Sequence, residues 1–517
     1  MTSTAVSLTA AIDIGSSAIR MDIAEVLSDG SLRLLDSLKK GVQLGKDAFT
    51  HGYLSEESIR AACAALADFK RVIDSYGVVR YRAVATAAVR ESSNSDTFLD
   101  RVLMSTGLDV EVIDGSEENR LIYSAVLESL REMPEIANGS SLLVEIGGGN
   151  TDVTLLKEGA PLQSGTFSLG SIRLRQGLGR STTTHEQQTR LLKRQIASLV
   201  TNITRSIPVK DAVNYIAVGG DVRFVAVAVN GAASDGGLWV LPRDTFANFV
   251  DSVASLSVEA LVQKYAISFL DAESLAPALL AYVQLLKDTQ AQEVIVTNAS
   301  IRSAILQELT PGEKGARRKQ LTDQILSAAR TLGRKYQFDE GHADRVRNLA
   351  LLLFDELKRE HRLDDTARLY LEVAALLHDI GLFVSPTAHH KHSYYLISRT
   401  DLFGLNRRDL EIIANVARYH RRTMPQRSHA NYVSLDRDER VIVSKLAAIL
   451  RVTNALDREH LPKFVGLAVA REEDQIVFQA QNVFDLTMER AALTSRSDLF
   501  NEVFGKKIIL REASQPA

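Results

Sequence analysis

Residues 8–14, LTAAIDI, form an apolar run stopped by Gly15 and read as a buried strand. Two more strand-like runs follow at 20–27 and 31–38, separated by an S-D-G turn. Residues 55–75 carry helical periodicity, opened by Ser55 with Glu56 and Glu57 behind it. RYRAVAT (80–86) and LDVEVI (108–113) read as strands, and 117–130 as a helix.

The opening pattern then recurs. LLVEIGGGNTDVTLL (142–156) follows the plan of AAIDIGSSAIRMDIA (10–24): apolar strand, acid, Ile, Gly, small-residue turn, second strand. The offset is constant, pairing Asp13 with Glu145 and Gly15 with Gly147. An internal repeat of this kind predicts two similar α/β lobes, each opening with a hairpin. The second lobe continues through FSLGSIRL (167–174), a helix near 185–205 and a strand at 214–218, and ends on VIVTNAS (294–300). The polar stretch PGEKGARRKQ (311–320) reads as a linker. From about 321 the periodicity is helical. Residues 464–517 alternate FVGLAVA, QIVFQAQ and KKIILRE with one short helix, a small α/β appendage.

The bulk numbers set bounds on this picture. A chain of 517 residues exceeds what one core holds, so several domains are expected. The net charge of −3 gives no global basic field, so a polyanion site must be a local patch and nucleic acid is not an expected partner. A single cysteine, Cys63, excludes an internal disulfide framework. No long uninterrupted apolar segment predicts a membrane span, and the expected location is the cytoplasm.

The two turns carry the candidate chemistry. Glycine lets backbone approach a ligand closely, and successive turn N–H groups form a nest for phosphate oxygens. A carboxylate at the strand end can hold a magnesium ion. Asp13 with Gly15, Ser16 and Ser17, and Glu145 with Gly147, Gly148, Gly149 and Asn150, supply these parts twice. The alternative is that the glycines only permit tight hairpins. In DGSEENRLIY (114–123), Glu117 and Glu118 open a helix, where acids are favoured by the dipole; one of them could instead deprotonate water. Arg90, after the strand in RAVATAAVRE, could neutralise phosphate charge or be a surface cation.

The ordered set AIDIGSSAIR, AVATAAVRE, DGSEENRLIY, EIGGGNTDVTLL, LGSIRL and AVGGDVRF resembles the exopolyphosphatase / guanosine pentaphosphate phosphatase family over essentially the whole chain. The resemblance implies an α/β fold of two actin-like (ASKHA) lobes with a duplicated phosphate-loop hairpin. An all-α HD-like domain and a small α/β C-terminal domain would follow. The expected divisions are 1–135, 136–310, 311–463 and 464–517. It further implies magnesium in the interlobe cleft, with Asp13, Glu145 and Asp152 at the metal. Glu118 would be the general base and Arg90 its catalytic companion. A homodimer is expected. The chain departs from the family pattern at Glu145, Asn150, Asp152, Ser17 and Asp221.

Nine of the eleven histidines fall between His342 and His460, around AALLHDIG (374–381). This part resembles an HD-type phosphohydrolase domain, which implies a second divalent metal held by His342, His378, Asp379 and Asp457, the family's last aspartate aligning with Asn454. Lys391, Arg418, Arg421 and Arg422 cluster in sequence with the histidines and could guide a polyphosphate chain. The expected activity is release of orthophosphate from inorganic polyphosphate. Guanosine pentaphosphate hydrolysis and a weakly active polyphosphate or nucleotide sensor are the alternatives.

Overall fold

The computed structural model describes residues 7–131, 133–137, 139–177, 184–231, 237–310, 314–461, 464, 467–480 and 485–512. The chain divides into two compact units, Met1–Leu321 and Thr322–Ala517.

The first unit holds two sheets. Strands β1 (Ser7–Ile14), β2 (Ala18–Val26), β3 (Leu32–Gly41), β4 (Arg80–Ala85) and β5 (Val110–Val112) are ordered β3-β2-β1-β4-β5. Strands β6 (Ser141–Ile146), β7 (Thr151–Lys157), β8 (Ala160–Phe167), β9 (Asn214–Val218), β10 (Leu238–Pro242) and β11 (Glu293–Thr297) are ordered β10-β11-β9-β6-β7-β8. The plans coincide. Each begins with a three-stranded antiparallel meander, whose first strand then pairs in parallel with a later one, β1 with β4 and β6 with β9. The second sheet adds β10, antiparallel at its edge.

Both first strands are central, covered on both faces, and therefore apolar on both faces rather than alternating. Ala10, Ala11, Ile12 and Ile14 are fully buried, as are Leu142 and Val144. Burying an isoleucine side chain of this kind contributes about 1.5–3 kcal/mol. The charged residues on these strands, Asp13 and Glu145, stand at their C-terminal ends, where strand becomes turn.

The helix Phe269–Lys287 is long and apolar enough to cross a membrane by length and composition, but Ala278, Leu279, Tyr282 and Leu285 lie in the core of the second lobe. Its Tyr282 hydroxyl accepts from Ile146 N at 2.8 Å and donates to Val218 O, tying the ends of β6 and β9 together beside Glu145.

The second unit is mostly helical and ends in a sheet β12-β13-β14 (Leu467–Arg471, Gln475–Ala480, Lys507–Glu512) with helices Thr487–Arg496 and Asp498–Phe504. One short helix was expected here; there are two. The expected linker is also corrected. Lys314–Lys335 is a helix, because Ala, Arg, Lys, Gln and Leu are strong helix formers whatever their polarity, while residues 311–313 lie outside the described residues.

Replacing Tyr282 by Phe leaves a buried N–H and a buried carbonyl without their partner. The expected loss is about 1–3 kcal/mol of stability, read by urea denaturation of the variant against the parent chain.

Candidate active site

The two hairpin turns are built alike. Gly15 N donates to Ala18 O at 3.1 Å, and Gly147 N to Asn150 O at 2.8 Å. The turn carbonyls are engaged in both copies: Val42 N and Gly45 N donate to Ser17 O and Ser16 O, and Ser171 N and Ile172 N to Gly147 O and Gly148 O. The turns meet. A Cβ added to Gly148 would lie 3.0 Å from Ser16 Cβ and 2.8 Å from Ile172 Cδ1, so glycine is required there for space. A cavity of about 290 Å³ opens beside them, lined by both turns and by Asp13, Glu118, Glu145 and Asp152.

The copies differ across the hairpin. Asp13 pairs in register with Arg20, whereas Glu145 pairs with Asp152. The second lobe therefore brings two acids to the cavity where the first brings an acid and a base. Asp152 Oδ1 is held by Thr166 Oγ1 at 2.6 Å and Asn119 Nδ2 at 3.2 Å.

The helix Gly115–Ser129 separates its two opening acids. Asp114 caps it by accepting from Glu117 N at 3.0 Å. Glu117 turns away from the cavity. Its carboxylate binds Arg120 at 2.7 Å and Arg82 at 3.1 Å, and both arginines also bind Glu308. Burial works against its charge, but the two arginines hold its pKa below the usual value. Glu118 points into the cavity. Burial pushes its pKa up to about 8, with Asp152 and Asp13 adding to the rise and Arg90 opposing it. Arg90 binds Glu118 Oε2 at 2.8 Å and Ile113 O at 2.6 Å. It is not among the residues lining the cavity and stands on the other side of the Glu118 carboxylate.

Sequence reasoning missed the cations that do line the cavity, Arg20, Lys39, Arg223 and Arg302. Arg302 lies 2.8 Å from Asp22 and 3.5 Å from Asp13. Arg223 donates to Ala299 O at 3.2 Å. Arg20 and Arg223 sit inside the segments AIDIGSSAIR and AVGGDVRF, so their neighbours had signalled them. Arg302 begins the helix Ile301–Leu309 in no motif at all. Asp221 lines the same cavity, and burial pushes its pKa up to about 6 against the pull of Arg20.

Burial also drives Glu145 well above the usual carboxylate range, with Asp152, Glu118 and Asp13 adding to it. Such an assembly of acids calls for a cation. Among the described residues, however, no three of these carboxylates bring ligand oxygens within 4.8 Å of one another. That looser set fits a magnesium ion, which keeps several waters and takes one or two carboxylates with substrate phosphate oxygens.

Residues 23–313 match the Ppx/GppA phosphatase family, and residues 326–501 match Ppx/GppA phosphatase, domain III. The chain belongs to the Ppx/GppA phosphatase family. It is 24% identical over 483 residues to a guanosine-5'-triphosphate,3'-diphosphate pyrophosphatase of Photobacterium profundum, covering 90% of each chain. It is 24% identical over 492 residues to the protein so named in Pseudoalteromonas translucida, covering 92% of each. Among solved structures, an exopolyphosphatase from Cytophaga hutchinsonii matches with a TM-score of 0.53 and 23% identity, over 58% of this chain and 96% of that one. An exopolyphosphatase-like protein matches with a TM-score of 0.52 and 19% identity, over 61% and 99%. These likenesses show the mixed α/β, actin-like fold.

In the Ppx/GppA domain III region, His342, His378 and Asp379 do come together, and Asp379 also meets His389 and His420. Asp457, expected as a ligand, is engaged otherwise: its Oδ2 lies 2.6 Å from His342 Nδ1 and its Oδ1 2.8 Å from Arg345 Nε. Asn454 is buried on the same helix, Arg437–Leu456. Burial pushes the His390 pKa down to about 4, with the charges of His389, Arg418, Arg421 and Arg422 adding to the fall. Lys391 is exposed, beside His429.

Glu118 and Glu145 bind protons more tightly in the folded chain than in the unfolded one. Their contribution to stability is therefore present at acid pH and lost as pH rises through the folded values, toward about 8 for Glu118. Without divalent cations, the melting temperature should fall from pH 5 to pH 8. Magnesium should raise it more at pH 8 than at pH 5, and Glu145→Gln should weaken the dependence, leaving the part due to Glu118. Thermal unfolding across pH, with and without magnesium, checks this.

Proposed function

We propose that this phosphatase removes the terminal 5'-phosphate of guanosine-5'-triphosphate,3'-diphosphate, releasing orthophosphate by water attack in the cavity between the two hairpin turns. The observation that carries the chemistry is the divergence of the acid pair: Glu117 is consumed by Arg120 and Arg82, while Glu118 faces the cavity with a raised proton affinity. A carboxylate of that kind is matched to taking a proton near neutral pH.

The terminal phosphate would sit against the N–H groups of Ser16, Ser17, Gly148 and Gly149. Arg20, Arg223 and Arg302 would neutralise its oxygens, in agreement with a reaction carried mainly by positioning and charge. Water oxygen bonds to the terminal phosphorus, the bridging P–O bond breaks, and the water's proton passes to Glu118. Arg90 holds that carboxylate in place. Asp13, Glu145 and Asp152 would hold magnesium, which when bound supplies further charge neutralisation at the phosphate oxygens.

Polyphosphate was the leading expectation from sequence, and the comparisons favour the nucleotide instead. Relatives named for the nucleotide align over 90% of the chain, whereas the exopolyphosphatase structure covers 58% of it. A second cavity of about 880 Å³ shares Ser16, Ser17 and Ser171 with the first. Its other walls combine Leu256 and Phe269 with Lys46, Arg175 and Gln176, a mixture suited to a nucleoside and its 3'-phosphates. Inorganic polyphosphate is the second reading, on the strength of the fold likeness and of the cations around His390.

Phosphate release from the nucleotide, long polyphosphate and ATP separates these readings. The nucleotide should give the highest kcat/KM; preference for polyphosphate selects the second reading, and binding without release selects a sensor. Glu118→Gln should lower kcat about 100- to 10,000-fold while substrate still binds. Glu117→Gln should lower stability and leave kcat close to that of the parent chain.

A further inference from the structure

In-line attack expels the leaving group on the side opposite the entering water. With Glu118 on the water's side, the rest of the substrate lies at the other end of the cavity. Each sheet lays its charged residues across that cavity in a row. In the first sheet Asp13 on β1 pairs in register with Arg20 on β2, and Arg20 with Lys39 on β3. Strands β4 and β5 lie on the opposite side of β1, and the helix that carries Glu118 follows β5. In the second sheet Glu145 on β6 stands between Asp152 on β7 and Val218 on β9. Asp152 is bonded to Asn119, the neighbour of Glu118, whereas Val218 is followed by Gly219, Gly220 and Asp221. Both rows thus run from Glu118 at one end to Arg20, Lys39 and Asp221 at the other, about 4.8 Å per strand. The charges acting on Asp221 belong to that end: Arg20, Asp271, Lys39 and Arg223, all of which line the cavity.

That end is unevenly paired. Lys39 Nζ holds Asp271 Oδ1 at 2.7 Å. Among the described residues, the Asp221 carboxylate and the Arg20 guanidinium have no hydrogen-bond or ion-pair partner. Arg20 reaches the first hairpin turn, its Nη1 3.7 Å from the point where a Cβ on Gly15 would lie, and suits a phosphate oxygen. An ionised carboxylate accepts and cannot donate, so Asp221 repels phosphate and suits an O–H or N–H group. Burial lifts its pKa only to about 6, which leaves it charged at pH 8. Phe224 and Leu275, about one helical turn on from Asp221 and Asp271, also line the cavity and give this end apolar surface. The helix Phe269–Lys287 lines the second cavity as well, through Phe269 and Ala272, and Ser274 lines both. The Asp221 end therefore adjoins the space suited to a nucleoside.

We propose that Asp221 is the specificity-determining residue of this site. It accepts a hydrogen bond from a hydroxyl or N–H of a nucleoside leaving group and turns away a leaving group made of phosphate alone. Asp221 has this role only if the chain is a nucleotide phosphatase with Glu118 on the water's side.

Initial rates at pH 8 with guanosine-5'-triphosphate,3'-diphosphate and with long polyphosphate give kcat/KM for each in the parent chain, Asp221→Asn and Asp221→Ala. The ratio of the two within one protein cancels any loss of folded enzyme. Asp221→Asn removes the charge and keeps an acceptor, so kcat/KM for polyphosphate should rise about tenfold. Asp221→Ala removes the acceptor too, so the nucleotide should also lose about tenfold, the worth of one hydrogen bond to a charged group. A parent chain that prefers polyphosphate, or acts on neither, overturns the nucleotide reading and the role of Asp221 with it. Preference for the nucleotide in the parent chain, with the ratio unmoved in Asp221→Asn and Asp221→Ala, overturns the role of Asp221 alone. An equal fall with both substrates marks a structural residue and does the same.

Discussion

Like charge held together is the constraint on which the first unit turns. Asp13, Glu118, Glu145 and Asp152 share one cavity, and the pull of Arg223 does not offset what burial and the three other acids do to Glu145. Folding brings them there because strand ends and a helix start are fixed by packing elsewhere: the apolar strands β1 and β6 run through the two cores, and Asp114 caps the helix that carries Glu118. The electrostatic cost at the strand ends is offset by the burial behind them. Such a site favours the protonated state of its own acids until a cation and a phosphate arrive together, and this couples substrate binding to the charge state of the base.

Duplication supplies the frame, and its breakage supplies the function. The two meanders share order, pairing sense and turn hydrogen bonds, so a phosphate between them meets similar backbone on both sides. The cross-strand partner differs, Arg20 in one copy and Asp152 in the other. One half thereby brings a cation to the cavity and the other a second carboxylate. Asn119 and Thr166, by fixing Asp152, join the helix of Glu118 to the strands of the second lobe.

Much of this was legible in the chain. The constant offset between Asp13 and Glu145 survives as equal register and equal turn geometry, because hairpin pairing is a local property written in apolar runs and glycines. What escaped depended on long-range contact. Strand β10 is a short edge strand whose partner lies about fifty residues on, and nothing in its own pattern announces that pairing. Arg302 reaches Asp13 and Asp22 from the far end of the unit. Arg90 was expected at the phosphate and is found against Glu118, because sequence reports which residues approach a cleft and not which side of a carboxylate they take. Asp457 was open in the same way: nothing in the sequence says that its two oxygens are taken by His342 and Arg345.

The helix start at Glu117, Glu118 and Asn119 has a consequence for how this protein tolerates change. Three consecutive residues face three directions: an ion-pair network, the cavity and the neighbouring lobe. Successive residues on a helix are rotated by about 100°, so one inserted or deleted residue ahead of them would exchange these assignments wholesale. The length of the D-G-S lead-in thus fixes which of the two acids faces the cavity as firmly as the identity of the acid does.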